Sequence, residues 1–303
     1  MPQSWRFLPS APQPEPSFPV YGATKGKFTR LHSVATPWLQ NRPQSIRVMN
    51  RTKPSNNHSS EILVRRLSHF AQLSGSEIEL LRSIPALPET LAPGTELLAE
   101  GEMVDNSRVL LSGWACRNRI LPDGRRQIFE FIVPGDLYGL CHRPQAIALS
   151  NAVTLTEAAI GDASVLSDAI LRRAQRYPSL VEACYISASF DEAYLLNQLV
   201  RSGRQSAYER VAHLVLELYH RLGLVGLTHA RTFSLPLTQE MLADALGLSI
   251  VHLNRTLQQL RREGLISFKG GLMQLLKPDA LAEIGDFRVP QVSAHKADQI
   301  HAA

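Results

Sequence analysis

Apolar residues change their spacing repeatedly along this chain, and each change marks a different kind of element. Up to residue 60 there is no sustained period of 3.6 or 2.0, and nine of the 19 prolines fall there. In EILVRRLSHFAQLSGSEIELLRSIP, Ile62, Leu63, Leu67 and Phe70 share one helical stripe, and order is expected to begin near Glu61. Ser74 and Glu77 read as a capping box opening a second short helix that stops at Pro85. From about 91 to 166, short apolar stretches alternate with turn signals such as Pro93-Gly94, Pro122-Asp123-Gly124 and Pro134-Gly135-Asp136. This is the rhythm of an antiparallel sandwich or barrel, with a tight hairpin at 122–124. RRQIFEFIV is apolar on both faces and is expected to lie between two packed layers. Past Asp168 the pattern turns helical again. After Pro178, Val181, Cys184/Tyr185, Ala188, Leu195 and Leu199 keep a spacing of three to four, with Asp191-Glu192 as an interruption and a break at Arg201-Ser202-Gly203. So long and narrow a stripe suits a helix–helix seam better than a broad core face. A second capping box, Ser206–Glu209, opens a helix carrying Ala212, Val215, Leu218 and Leu222 and ending at Gly223.

Composition narrows the class. With 44% hydrophobic and 19% charged residues the 303-residue chain is long enough for two domains, and no apolar run reaches the roughly 18 residues of a spanning helix. No membrane association is expected. Cys116, Cys141 and Cys184 cannot make a disulfide framework, and no apolar signal core is visible, so the expected compartment is a reducing cytoplasm. Of the net +5, residues 1–60 carry +7 (eight Lys/Arg against Glu15), leaving the rest at −2. The basic tail loosely mimics a transit peptide. Alternatively, Met49 is the true start. Either way it is expected to be disordered, since it buries too little apolar surface to offset the ordering entropy. There is no GxSxG, Gly-rich phosphate loop or HExxH, so no enzyme constellation is present.

The informative segment is PLTQEMLADALGLSIVHLNRTLQQLRREGLISFKGGLMQLL at 236–276. Thr238 caps a two-turn helix with Met241, Leu242, Ala245 and Leu246; Gly247 supplies the left-handed residue of a sharp turn, and Ser249 caps a second helix with Leu253, Leu257 and Leu260. Gly264 ends it, and two short strands about Lys269-Gly270-Gly271 make a wing. Ala243, four before the turn glycine, lets the helices approach, and Leu253 plugs the gap between them. This is the pattern of a winged helix-turn-helix, a double-stranded DNA binder.

From about 62 to 287 the chain resembles the Crp/Fnr family of bacterial transcription regulators. The sensor likeness rests on PGTELLAEGE at 93–102 and LLSGWACRNRILPDGRRQIFEFIVPGDLYGL at 110–140, the DNA-domain likeness on LTQEMLADALGLSIVHLNRTLQQLRREGLI at 237–266. The resemblance implies an α+β chain: a double-stranded β-helix (jelly-roll) sensor over 61–175, a dimerisation helix over 176–202, a winged helix-turn-helix over 203–288 and a short disordered tail over 289–303. It also implies a homodimer on a palindromic operator and RNA polymerase as a further partner. In the second helix, Ser249 at the cap and Ile250, Val251, His252, Asn254 and Arg255 are candidates for the major groove. Arg255 aligns with the family's groove-facing arginine, suited to guanine O6/N7 or to a phosphate. Thr238 and Gln239, at the start of the first helix, are placed for backbone phosphates. The cyclic-AMP receptor branch has an Arg-Glu pair directly after the cap where this chain has Ile250-Val251, so its operator is expected to differ.

The family's nucleotide-binding residues are a Gly-Glu step after the PGD turn and a later Arg-Ser/Thr pair. This chain has Gly139-Leu140, then Ser150 and Asn151 with no arginine; Arg143 comes too early. Cyclic-nucleotide binding is not expected. Residues 1–115 hold no cysteine for an Fnr-type iron–sulfur cluster, and no cofactor is expected. Two other readings stay open: a haem- or redox-responsive sensor using Cys141/His142 or Cys184, and an interaction module that has lost DNA binding.

Overall fold

The computed structural model describes residues 56–291 except 88, 105 and 140–145, with side chains from residue 61 onward. Helix α1 (Asn56–Ser68) buries Leu63, Val64 and Leu67, and α2 (Gly75–Arg82) packs beside it. Ser74 and Glu77 form the expected capping box. The other carboxylate oxygen of Glu77 accepts the main-chain N–H of Leu180 at 2.8 Å, so one buried acid caps two helices. Burial opposes its charge, yet the N–H groups of Ser74 and Leu180 hold its pKa below the usual range.

Strands β1 to β7 form two antiparallel sheets. The first runs β1 (Glu96–Leu98), β6 (Asn151–Thr154), β3 (Ala115–Ile120), β4 (Arg126–Ile132); the second runs β5 (Leu137–Tyr138), β2 (Arg108–Ser112), β7 (Ala159–Asp162). Leu110, Ala115, Ile132, Ala152 and Ile160 form the core inside this roll. The β3–β4 hairpin turns at Pro122-Asp123-Gly124 as the pattern requires. Strand β4 does lie between layers, with the roll on one face and later helices on the other.

Helical structure resumes earlier than expected. Asp162 accepts the N–H of Ser164, which ends β7 and starts α3 (Ser164–Arg172), so Asp168 lies inside a helix. Helix α4 (Pro178–Arg204) also departs from its forecast in two ways. It runs through Arg201-Ser202-Gly203, because buried Arg201 is held by Gln198 one turn back and by Glu217 of the next helix; extended Gln205 ends it. The apolar stripe also divides. Val181 and Cys184 pack into the core made by α1 to α3, whereas Tyr185, Ala188, Leu195 and Leu199 face solvent. Asp191 leaves the stripe because it is paired with Arg66 at 3.0 Å.

Helix α5 (Ala207–Leu224) opens on the Ser206–Glu209 box and ends one residue beyond Gly223. A hairpin, β8 (Thr228–His229) and β9 (Thr232–Ser234), precedes α6 (Gln239–Leu246) and α7 (Ile250–Arg262). Strands β10 (Ile266–Lys269) and β11 (Leu272–Leu275) follow, then α8 (Pro278–Gly285). The sheet order is β10-β11-β9-β8, so the wing is half of a four-stranded sheet. The β8–β9 hairpin and α8 carry too little period to be read in advance. Among the described residues no helix is long and apolar enough to cross a membrane.

The roll and the C-terminal helices are joined by buried charge. Asp136, in the Pro-Gly-Asp turn, accepts from Arg66 of α1, from Arg221 of α5 at 2.6 Å and from the N–H of Val133 at 2.7 Å. Arg66 also donates to Ser187 and Asp191 of α4; Arg221 reaches Glu130 of β4 at 3.4 Å. Both arginines are 1% exposed. Gly135 makes this approach possible, because at φ +93 a Cβ there would stand 2.8 Å from Val225 and 3.2 Å from Ile62. Removing Asp136 from this set leaves both guanidinium groups short of an acceptor in a low-dielectric interior. Asp136→Ala is therefore expected to lower the unfolding free energy by about 3–5 kcal/mol. Urea unfolding of the full chain checks this, and a loss under about 1 kcal/mol would show that the set does not hold the parts together.

Candidate DNA interface

The turn between α6 and α7 is built as its sequence predicts. The Thr238 hydroxyl oxygen accepts the N–H of Met241 at 3.2 Å, and that of Ser249 accepts the N–H of His252 at 3.2 Å. Gly247 adopts φ +63, ψ +38, the left-handed C-cap that side chains with a Cβ resist. Ala243 and Leu253 are buried between the helices, and Leu257 and Leu260 complete the inner face of α7.

Opposite Leu260 the helix is open. Val251, Arg255, Gln258 and Arg262 fall within about 60° of one another at 100° per residue, and all are exposed. Ile250, His252 and Ser249 are exposed at the N-terminal end. Asn254 is half-buried and stands to one side of the stripe. Gln239 is exposed at the start of α6, while Thr238 is half-buried and committed to its cap. Of the candidates, then, Ser249, Ile250, Val251, His252 and Arg255 share one open end and face, and Asn254 lies at its margin. Gln258 and Arg262 were missed; continuing the exposed 3.6-residue period past Arg255 would have found them.

The charge on this face is positive and uncommitted. Arg255 and Arg262 form no hydrogen bond or ion pair with another described residue. Arg261 is tied to the wing, donating to the carbonyl of Phe268 at 2.6 Å and lying over its ring. The acid of this stretch, Glu263, accepts from the Tyr208 hydroxyl and the Gln259 amide, which hold its pKa below the usual range. Lys269 is exposed beside the wing tip, Gly270-Gly271.

The roll holds a cavity of about 310 Å³ between its sheets and α4. Among the described residues, Glu130, Asp136 and Asp191 line it, together with the arginine Arg117. That arginine comes from β3 and escaped the sequence reading, but it is engaged by Ser150 at 3.1 Å and by Glu130 at 3.5 Å. Burial raises the pKa of Glu130, and the Asp136 charge beside it works the same way, although Arg221 and Arg117 oppose them. Cys184 also borders the cavity, where burial pushes its thiol up to about 12, away from the reactive thiolate. Leu140, Cys141, His142 and Arg143 lie outside the described residues. Among the described residues no group of three or more His, Cys, Asp or Glu side chains is placed to hold a metal.

A rolled antiparallel domain joined by a long helix to a winged helix-turn-helix defines a DNA-binding regulator. A model of the Crp-like helix-turn-helix domain matches residues 209–284, and one of the cyclic nucleotide-binding domain matches residues 88–164. Among curated proteins, the transcriptional activatory protein AadR of Rhodopseudomonas palustris is 34% identical over 63% of this chain and 79% of its own length. The nitrogen fixation regulation protein FixK of Rhizobium meliloti is 29% identical over 66% of this chain and 88% of its own. The structure of FixK2 from Bradyrhizobium japonicum superposes with a TM-score of 0.57 at 23% identity, over 69% of this chain and 99% of that one, which bears on the fold alone. The chain belongs to the Crp/Fnr family of bacterial transcription regulators, binds DNA through its helix-turn-helix and is not an enzyme.

Proposed function

We propose that the chain acts as a homodimer on a palindromic operator, reading it with α7, and that its effector is not a cyclic nucleotide. This reading divides the chain into a sensor (61–175), a dimer helix (176–202) and a DNA-binding head (203–288). One observation carries it: the two surfaces a dimeric reader needs are both left open. Helix α4 leaves Tyr185, Leu195, Leu196, Leu199 and Val200 exposed, an apolar strip unusual on a free surface. Helix α7 leaves its cationic and apolar stripe exposed, with Ile250 and Val251 fit for thymine methyls, Arg255 for guanine or phosphate, and Gln258 for adenine. Ser249, His252 and Asn254 flank that stripe, and Thr238 and Gln239 stand where an α6 N-terminus meets phosphate. AadR is named a transcriptional activatory protein, which supports RNA polymerase as a further partner.

The effector reading rests on the cavity. Among the described residues, the arginine on its wall, Arg117, is already engaged by Ser150 and Glu130, so it is not a free cation for a phosphate. Calorimetry with cyclic AMP is expected to show no heat; a micromolar dissociation constant would overturn this part.

Leu195→Glu places a charge in the proposed seam and is expected to give monomers in sedimentation at micromolar concentration. A variant that stays dimeric would reassign the seam.

Selection from random duplex DNA tests the operator. A two-fold reader places its helices in successive major grooves, so the selected arms are expected about 10–10.5 bp apart, centre to centre, with binding that falls steeply as salt rises. Arg255→Ala is expected to weaken binding by about 1–3 kcal/mol, concentrated at one base pair if Arg255 reads a base and uniform if it holds phosphate. A non-palindromic product, or unchanged affinity in the variant, would remove the assignment.

A further inference from the structure

The last four carbonyls of a helix have no partners within it, and their partners reveal what holds that helix end. In α6 all four are accounted for. The Ala243 carbonyl accepts from the main chain, from the N–H of Gly247 and, at 3.0 Å, from that of Leu248. The other three take side chains from three different elements. Gln127 of β4 donates to the Asp244 carbonyl at 3.0 Å, Gln198 of α4 to the Ala245 carbonyl at 2.6 Å, and Arg210 of α5 to the Leu246 carbonyl at 2.9 Å. Arg126, next to Gln127, adds an ion pair to the Asp244 carboxylate at 2.6 Å with its side chain only 8% exposed.

Arg210 belongs to a helix packed within the DNA-binding head, but Arg126 and Gln127 belong to the sensor and Gln198 to the long helix. The polarity of Gln198 is fixed as well. Its carbonyl oxygen accepts from both Nε and Nη2 of Arg201, at 3.1 and 2.7 Å, so only its amide faces Ala245. Arg201 in turn is locked to Glu217 of α5. Immediately beyond these carbonyls is the Gly247 turn that aims α7.

We propose that Arg126, Gln127 and Gln198 are positioning residues for DNA recognition. They pin the C-terminal end of α6, and through the Gly247 turn the recognition helix, to the sensor sheet and to α4. None of the three lies on the exposed face of α7, so none is expected to touch a base.

Gln127→Glu and Gln198→Glu test this in the full chain. Each keeps the side-chain shape but sets a carboxylate acceptor against a carbonyl, and at position 198 the Arg201 contacts are retained. The DNA readout rests on the palindromic reading, so a second readout needs no DNA. Spin labels at the exposed residues Gln72 and Asp279, in dimers diluted with unlabelled chain, report the sensor-to-head distance. Both variants are expected to broaden that distribution. They are also expected to cut the preference for the selected half-site spacing over one base pair longer by about fivefold, the worth of about one hydrogen bond. Affinity for a duplex carrying a single half-site stays at the parent value. A distribution as narrow as the parent's, with spacing preference intact, would overturn the proposal. An equal loss on single and double half-sites would also overturn it, by placing these residues in the recognition surface. If the parent itself shows no spacing preference, the palindromic reading fails and the distance distribution alone decides.

Discussion

The carboxylate of Asp136 is the constraint around which this molecule is assembled. It sits at the tip of a glycine turn that only a residue without a Cβ permits, and two fully buried guanidinium groups converge on it. One comes from the first helix and the other from the helix that founds the DNA-binding head. Both arginines are 1% exposed, so each must find its acceptors here; Arg66 also donates to Ser187 and Asp191 of α4, and Arg221 also reaches Glu130 of β4. Burying charge is a poor way to gain net stability compared with apolar packing. What it gains is geometry: mispaired arrangements of these elements leave a bare charge in the interior.

That geometry places the sensor cavity and the junction to the head in contact. Glu130 and Asp191 face the cavity on one side and are bonded to Arg221 and Arg66 on the other. Whatever alters the protonation or contacts of the cavity wall therefore acts on the partners of α5 and α1. The end of α6, held by Gln127 and Gln198, lies beyond the same two elements, β4 and α4. Strand β4 is the shared piece, carrying Glu130 toward the buried charges and Arg126-Gln127 toward the helix-turn-helix.

Much of the DNA-binding head was legible from residue order. Both caps of α6 and α7, the left-handed Gly247, the Ala243–Leu253 packing and the wing are local features, each fixed by residues within a few positions of one another. Local steric and hydrogen-bonding rules suffice for them, as they do for the two capping boxes and the hairpin at 122–124. The open face of α7 follows from periodicity alone, and stopping at Arg255 rather than Arg262 was a failure to extend the period.

What the sequence could not reveal is long-range polar pairing. Arg66, Arg201 and Arg221 look like ordinary solvated helix residues, since nothing in their neighbourhoods shows that they are buried. Their partners lie far along the chain: Arg66 meets Asp136 and Asp191, and Arg221 meets Glu130 and Asp136. The same blindness hid Arg117 in the cavity and let Gly203 suggest a break that Arg201, bonded to Glu217, does not allow. The apolar stripe of α4 was likewise one pattern with two fates. Its first turns meet the core of α1 to α3, and its later ones leave that core behind. Sequence determined most of the elements and which of their faces are apolar, because those follow from neighbours along the chain. Only the tertiary structure decided which charges are buried and what each face meets, because those depend on residues brought together through space.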